Sequence, residues 1–287
     1  MHLDDIQTIA VLGAGTMGAG IAQLAAQHGY ETVLYDVADE VLAAATDRIA
    51  HFINRLAEKG RLPADEADAA IARLRTTSAL DGVAGAQVVI EAAPERLDLK
   101  QRIFADLEAH VGEGTILATN TSTLSVTEIA AATKRPGRVV GMHFFNPPAL
   151  MPLVEVIAGA QSEAAVVDTT VALAEALGKT PVRASDTPGF IVNRVARPFH
   201  LEGLRLLESG IADLEIIDRL FREEGGFRMG PFELQDLIGI DINCAASQSV
   251  YEAFHHAARF RPSIRQRQQV QSGHLGKKTG RGWYGQD

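Results

Sequence analysis

Cysteine is nearly absent: Cys244 is the only one in 287 residues. An intramolecular disulfide is therefore excluded, a structural zinc site lacks its ligands, and a reducing compartment, the cytoplasm, is the expected location. No apolar stretch approaches the roughly 20 residues that a membrane-spanning helix needs, so no membrane partner is expected. The opening MHLDDIQ is acidic and runs straight into a strand-like segment, which argues against a secretory or transit signal. Positive charge is in deficit, and a formal net charge of −9 argues against nucleic acid as a partner. Aromatics are sparse at 6 %, yet 46 % of residues are hydrophobic, enough for a substantial core. Internal repeats and low-complexity linkers are also missing, so two ordinary packed domains are expected.

The glycines that are present stand where a dinucleotide would need them. Thr8–Leu12 (TIAVL) is short, apolar and partly β-branched, which predicts a buried strand of a parallel sheet. It leads into GAGTMGAG, where Gly13, Gly15 and Gly18 satisfy GxGxxG, and then into IAQLAAQHG, a helical pattern ending at Gly29. Gly13 permits the tight turn, Gly15 lets the backbone approach a pyrophosphate, and Gly18 lets the helix pack against its strand. Thr16 and Met17 share this turn and belong to the same cofactor-binding set. Alone the motif is weak, because glycine-rich turns are common. Here a second strand, Glu31–Tyr35, follows and ends at Asp36, about twenty residues on, which completes the fingerprint. An anionic Asp36 suits the adenosine ribose hydroxyls and repels the 2′-phosphate of NADP, so NAD is the expected cofactor.

Residues 41–75 carry helical periodicity around a break at Leu62 and Pro63, with scattered Lys and Arg that read as a solvated face. Strands are expected at 87–92, 115–118, 139–144 and 154–157, alternating with helices at 96–109, from Ser125 onward, and at 163–177. The third strand presents Glu91 and Glu95 at its carboxyl end, where open α/β sheets bind ligands. Ser125 and Glu128 have capping-box spacing. After residue 185 the pattern becomes helical throughout. In DTPGFIVNR, Asp186 or Thr187 is the expected cap of a long helix with Pro188 in its first turn and apolar positions 191, 192, 195, 199, 204 and 207 on its buried face. Helices are expected around 213–223, 232–254 with an interruption at Gly239, and 263–272, before a basic, glycine-rich tail. The predicted class is therefore α/β: a Rossmann-type doubly wound, mainly parallel sheet over 1–185, followed by an all-helical domain over 186–287.

Between Asn120 and Glu155 lie a hydroxyl in a polar turn (Ser122), a histidine closing a β-like run (His143) and an acid twelve positions later (Glu155). With an unperturbed pKa of about 6.5, histidine suits proton transfer near neutrality, and a carboxylate within reach would hold its ring in one tautomer. No GxSxG surrounds any serine, which argues against a hydrolase triad. Adjacent His255 and His256, and His28, His51, His110, His200 and His274, read as surface residues; the glutamine-rich RQRQQVQ reads as an exposed helix, and Cys244 as packing inside a helix.

Laid out in order, GAGTMG, ATNTSTLS, GMHFFNP, LVEVI, DTPGFIVNR, MGPFELQDLIG and GKKTGRGWY closely resemble the motifs of the L-3-hydroxyacyl-CoA dehydrogenase family across nearly the whole length. The resemblance implies an NAD-binding Rossmann-type domain and a smaller helical domain through which subunits form a homodimer. It implies that His143 is the catalytic base, Glu155 its orienting partner, and Ser122 and Asn193 the groups that hydrogen-bond the substrate. It places Asp36, Glu95, Lys100 and Asn120 at cofactor-contacting positions. Position 123 is Thr where Ser is expected in close relatives, which keeps the hydroxyl. The implied substrate is an acyl-CoA, 3-hydroxybutyryl-CoA in type. The stretch EEGGFRMGPFELQDLIGIDIN looks more like members acting on 3-hydroxyadipyl-CoA, with Arg228 or another cation for the distal carboxylate. A gulonate-type dehydrogenase and a non-catalytic, crystallin-like NAD-binding protein are the other readings. Arg48, Arg55, Lys59, Lys277 and Lys278 all stand as candidates for the CoA phosphates.

Overall fold

The computed structural model describes residues 1–285, and the chain divides into two compact units, Met1–Thr187 and Pro188–Asp287. In the first unit the strands are β1 (Thr8–Leu12), β2 (Glu31–Tyr35), β3 (Leu74–Thr77), β4 (Val88–Glu91), β5 (Ile116–Thr119), β6 (Val139–Phe144), β7 (Leu153–Ala158) and β8 (Thr180–Ser185). Six helices connect them: α1 (Thr16–Gln27), α2 (Asp39–Glu58), α3 (Ala64–Ala72), α4 (Leu97–Leu107), α5 (Val126–Ala130) and α6 (Ala164–Ala176). The strand order is β3-β2-β1-β4-β5-β6-β7-β8, so the winding reverses between β1 and β4. That reversal opens a crevice beyond the carboxyl ends of the two strands. The central strands are buried on both faces, as their continuous apolar runs require. Ile9, Val11, Ile21, Ala25, Ile90, Val140 and Met142 share one core, and the small residues of α1 let that helix lie close to the sheet.

The expected Rossmann-type, mainly parallel sheet is present, with three local departures. β7 runs antiparallel to β6. Residues 145–152 are too few for a parallel crossover, which takes a dozen residues or more. β3 lies where helical periodicity predicts helix to Arg75; as an edge strand with half-exposed LRTT it has no apolar run to announce it. β8, the other edge, is likewise half-exposed and holds Pro181, which an edge tolerates.

The second unit comprises α7 (Val192–Glu208), α8 (Leu214–Glu223), α9 (Pro231–Ile238), α10 (Ile240–Ala253) and α11 (Ile264–Gln271). α7 starts later than its sequence suggests, because Gly189 (φ +73°) and Phe190 (φ +47°) take left-handed conformations that no α-helix accommodates. Asp186 caps another helix: its carboxylate accepts from the N–H groups of Val126 (3.0 Å) and Thr127 (2.7 Å) at the start of α5. The buried face of α7 is Arg197, His200, Leu201, Gly203 and Leu204; of the six apolar positions expected there, Leu204 alone is buried, and Val195 is 68 % exposed. Leu201, Leu204, Ile217 and Phe232 form the core, covered by Trp283 and Tyr284 of the tail. Two buried carboxylates hold that tail. Asp236 accepts from the N–H groups of Trp283 and Tyr284, and Asp218 accepts from the Tyr284 hydroxyl and the N–H groups of Phe232 and Glu233. The helix at RQRQQVQ is not exposed throughout, since Gln266 is fully buried and donates to Gln235 and Asn243.

Candidate active site

Two positions of the turn after β1 admit only glycine. A Cβ on Gly18 would fall 1.7 Å from the Gly13 carbonyl oxygen, and one on Gly13 (φ +97°) would fall 2.8 Å from that of Ala92. At Gly15 the position is open, with no atom of the described residues within 4 Å of an added Cβ. Gly15 is also the N-cap of α1 and supplies no side chain to its first N–H groups, which suits phosphate oxygens. Asp36, one residue past β2, accepts from Ala14 N–H at 2.7 Å and from Ala38 N–H at 3.2 Å, so its carboxylate is fixed beside the turn with acceptor capacity remaining for ribose hydroxyls. Arg48 of α2 donates to the Ala14 carbonyl at 3.3 Å, which ties this phosphate candidate to the glycine turn. These residues fit a bound dinucleotide.

A network of polar groups links β4 and β5 at their carboxyl ends. Glu91, the last residue of β4, is fully buried and accepts from Lys100 Nζ (2.6 Å), Thr119 Oγ1 (2.7 Å) and Ala93 N–H (2.6 Å). Lys100, itself 1 % exposed, reaches the Ala93 carbonyl (3.1 Å) and stands 3.5 Å from Glu95 Oε2. The other oxygen, Glu95 Oε1, accepts from Thr121 Oγ1 (2.7 Å), Ser122 N–H (2.8 Å), Ser122 Oγ (3.1 Å) and Thr123 N–H (3.0 Å). Burial alone would raise the Glu95 carboxyl; the Lys100 charge, the Thr121 hydroxyl and the two N–H groups outweigh it and hold the pKa below the ordinary value. Ser122 and Thr123 thus lie on an anion whose place Lys100 and Glu91 set.

On the neighbouring strands, the register of the antiparallel pair puts His143 directly opposite Glu155. Imidazole Nδ1 lies 2.8 Å from Glu155 Oε2, the carboxylate is fully buried and the ring is 6 % exposed. Phe145 packs on the ring at 4.5 Å between centroids. Asn120 accepts Phe144 N–H at 2.8 Å, tying the turn after β5 to the end of β6. Asn193 belongs to the second unit, in the first turn of α7, where its carbonyl accepts from Arg197 Nε at 3.3 Å.

His200 is 1 % exposed rather than at the surface, and burial together with the Arg197 charge pushes its pKa down to about 3, against the pull of a hydrogen bond at Pro231. Sequence reasoning also passed over Lys179, whose buried ammonium sits on two carbonyls of the β6–β7 loop. No local signal marks it, because a lysine directly after the helix-ending Gly178 looks like any exposed helix terminus.

A doubly wound sheet with this turn, acid and crevice defines a dinucleotide-binding protein of the Rossmann class. The chain belongs to the 3-hydroxyacyl-CoA dehydrogenase family: residues 8–187 match its NAD binding domain and residues 189–286 its C-terminal domain. NAD is accordingly the cofactor. The chain is 48 % identical to the 3-hydroxyadipyl-CoA dehydrogenase of Escherichia coli K12, over 98 % of its own length and 59 % of that protein's. It is 42 % identical to a probable 3-hydroxybutyryl-CoA dehydrogenase of Bacillus subtilis, over 98 % and 97 % of the two. The crystal structure of (S)-3-hydroxybutyryl-CoA dehydrogenase from Ralstonia eutropha superposes with a TM-score of 0.95 at 38 % identity, covering 98 % of this chain and 99 % of that one.

Proposed function

We propose that this protein is an NAD-dependent dehydrogenase that oxidises a (3S)-3-hydroxyacyl-CoA to the 3-ketoacyl-CoA, and the reverse. The observation that carries the reading is the 2.8 Å bond between His143 and Glu155 at the carboxyl edge of the sheet that also bears the glycine turn. A carboxylate only accepts, so Glu155 keeps the proton on Nδ1 and makes Nε2 the basic atom of the ring. His143 Nε2 takes the proton of the substrate 3-hydroxyl. NAD, when bound, supplies the hydride acceptor for C3. The imidazolium that forms is stabilised by Glu155 until the proton leaves. Ser122 and Asn193 hold the substrate oxygen, and Gly13, Gly15, Thr16, Met17, Gly18, Asp36, Glu95, Lys100 and Asn120 hold the cofactor, Lys100 acting through Glu95. In this reading the first unit binds the cofactor and the second supplies substrate contacts and the homodimer face.

The substrate carries a short acyl chain of the 3-hydroxybutyryl type. A 3-hydroxyadipyl chain is the second reading, supported by the 48 % identity to an enzyme of that name and by Arg197. That guanidinium is 4 % exposed, lies one turn after Asn193, and donates to uncharged oxygens of Asn193, Asn243 and Ser247. Dimerisation is supported by apolar side chains at the surface of the second unit, among them Ile211, Leu220, Ile242 and Ile264, each more than half exposed. No helix among the described residues is long and apolar enough to cross a membrane, and with one free cysteine the cytoplasm suits the protein. NADH consumption with acetoacetyl-CoA tests the activity, and absence of turnover with any 3-ketoacyl-CoA would end it. The ratio of kcat/KM for 3-hydroxybutyryl-CoA, 3-hydroxyadipyl-CoA and gulonate selects among the substrates.

A further inference from the structure

The loop of residues 145–152 joins the strand of His143 to the strand of Glu155 and is gripped from two sides. On one side stands Lys179, 9 % exposed, whose Nζ donates to the carbonyls of Pro148 (2.6 Å) and Met151 (3.0 Å). Burial drives the Lys179 pKa below that of an ordinary lysine, and the two carbonyl dipoles are what receives the charge. On the other side is α1, the helix whose amino end bears the glycine turn. A Cβ at Gly20 would fall 2.9 Å from Pro148 Cδ, so the loop leans on the bare backbone of the cofactor helix. Within the loop, the N–H groups of Leu150 and Met151 both donate to Pro147 O, and Thr180 N–H, next to Lys179, donates to Pro152 O at 2.7 Å.

We propose that Lys179 is a positioning residue for the dehydrogenase reaction: it clamps the β6–β7 loop against Gly20 of α1, fixing Phe145 and His143 relative to the dinucleotide site. A surface lysine would serve any structural role without desolvation. Placing an ammonium where it organises two carbonyls of the loop behind the catalytic dyad makes geometric sense if that loop must not shift. Released, the loop moves Phe145, whose ring packs on the imidazole, and a displacement on the order of 1 Å at a reacting group lowers turnover by roughly 100-fold.

The kinetic part rests on the dehydrogenase reading, so the test has an arm that does not. In Lys179→Met, which keeps the volume and removes the donors, amide hydrogen exchange at Leu150 and Met151 should accelerate, whatever the substrate is. NADH affinity, read by fluorescence titration, should stay within about twofold, because the turn itself is untouched. With acetoacetyl-CoA, kcat should fall roughly 10- to 100-fold, an order set by that displacement. Lys179→Arg, which still donates to both carbonyls, should recover most of it. Should Lys179→Met fail to fold, Gly20→Ala pushes the same loop from the opposite side and should reproduce the loss of kcat with NADH affinity retained. If the parent turns over no acyl-CoA, the functional reading fails while the exchange result still stands. Unchanged exchange at Leu150 and Met151, or accelerated exchange with unchanged kcat, overturns the proposal.

Discussion

Replacing Glu155 by Gln removes one charge and leaves the volume unchanged. Glu155 is fully buried across the ladder from His143, and the 2.8 Å contact to Nδ1 is a charge-assisted bond once the ring is protonated. Glutamine can still accept the Nδ1 proton through its amide oxygen, so the ground-state tautomer survives. What disappears is the anion that, on the proposed mechanism, steadies the imidazolium formed as the 3-hydroxyl loses its proton. Hydrogen bonds to charged groups are worth about 1.5–3 kcal/mol, and at about 1.4 kcal/mol per factor of ten this is roughly a 10- to 150-fold loss in kcat. The loss should fall on kcat, with the KM for NADH little changed, because the carboxylate bonds the His143 ring, whereas the glycine turn and Asp36 follow β1 and β2. Absorbance at saturating acetoacetyl-CoA and NADH reads kcat, and thermal melting confirms that the variant is folded. A folded Glu155→Gln enzyme with kcat within twofold of the parent would refute the assignment of the dyad.

Three further outcomes follow from the same geometry. Lys100→Met strands Glu91 as a buried, uncompensated anion, which should destabilise the first unit by about 3–5 kcal/mol in urea unfolding; adding Glu91→Gln should recover much of that, and strict additivity of the two would contradict the pairing. Asp36→Asn should raise the KM for NADH and narrow the preference for NADH over NADPH, because a carboxylate no longer opposes the 2′-phosphate; an unchanged preference would remove Asp36 from the ribose site. His200 has a folded pKa of about 3, below the unfolded value near 6.5, so its contribution is full above about pH 7 and is lost as pH falls toward 3. At pH 5 that loss is about 2 kcal/mol relative to His200→Leu, and parallel stability curves for the two proteins between pH 7 and pH 5 would show that the ring is not held neutral.

How much of this was legible in the sequence depended on whether the partners are neighbours along the chain. The cofactor turn was readable because Thr8–Leu12, Gly13 to Gly18 and Asp36 are neighbours along the chain, with the positive φ of Gly13 and the contact of Gly18 with the Gly13 carbonyl set within the turn itself. The core strands were readable because burial on both faces demands apolar runs. The edge strands β3 and β8 were not, since half-exposed positions accept LRTT or a proline without penalty. Asp186 looked like the cap of the helix that follows it, yet its carboxylate reaches back 60 residues to α5. Glu91 was visible as an acid at a strand end, but only the fold shows that it faces Lys100 rather than a ligand. Lys179 and His200 were invisible for one reason: a polar residue gives no sign in sequence of being surrounded.

The antiparallel turn of β7 explains why His143 and Glu155 are so close in sequence. Had the chain continued the parallel winding after β6, a crossover of a dozen residues or more would have separated the next strand from the strand of His143. Reversal lets residues 145–152 suffice, and it sets His143 and Glu155 opposite each other as ladder partners. Their separation is then fixed by backbone pairing and not by a flexible loop, which suits the proposed base, whose tautomer would have to be set before substrate arrives. The same reversal leaves a short loop lying directly over the cofactor helix at Gly20. A loop so placed cannot shift without disturbing the strand end that carries His143, and its carbonyls, rather than solvent, receive the buried ammonium of Lys179.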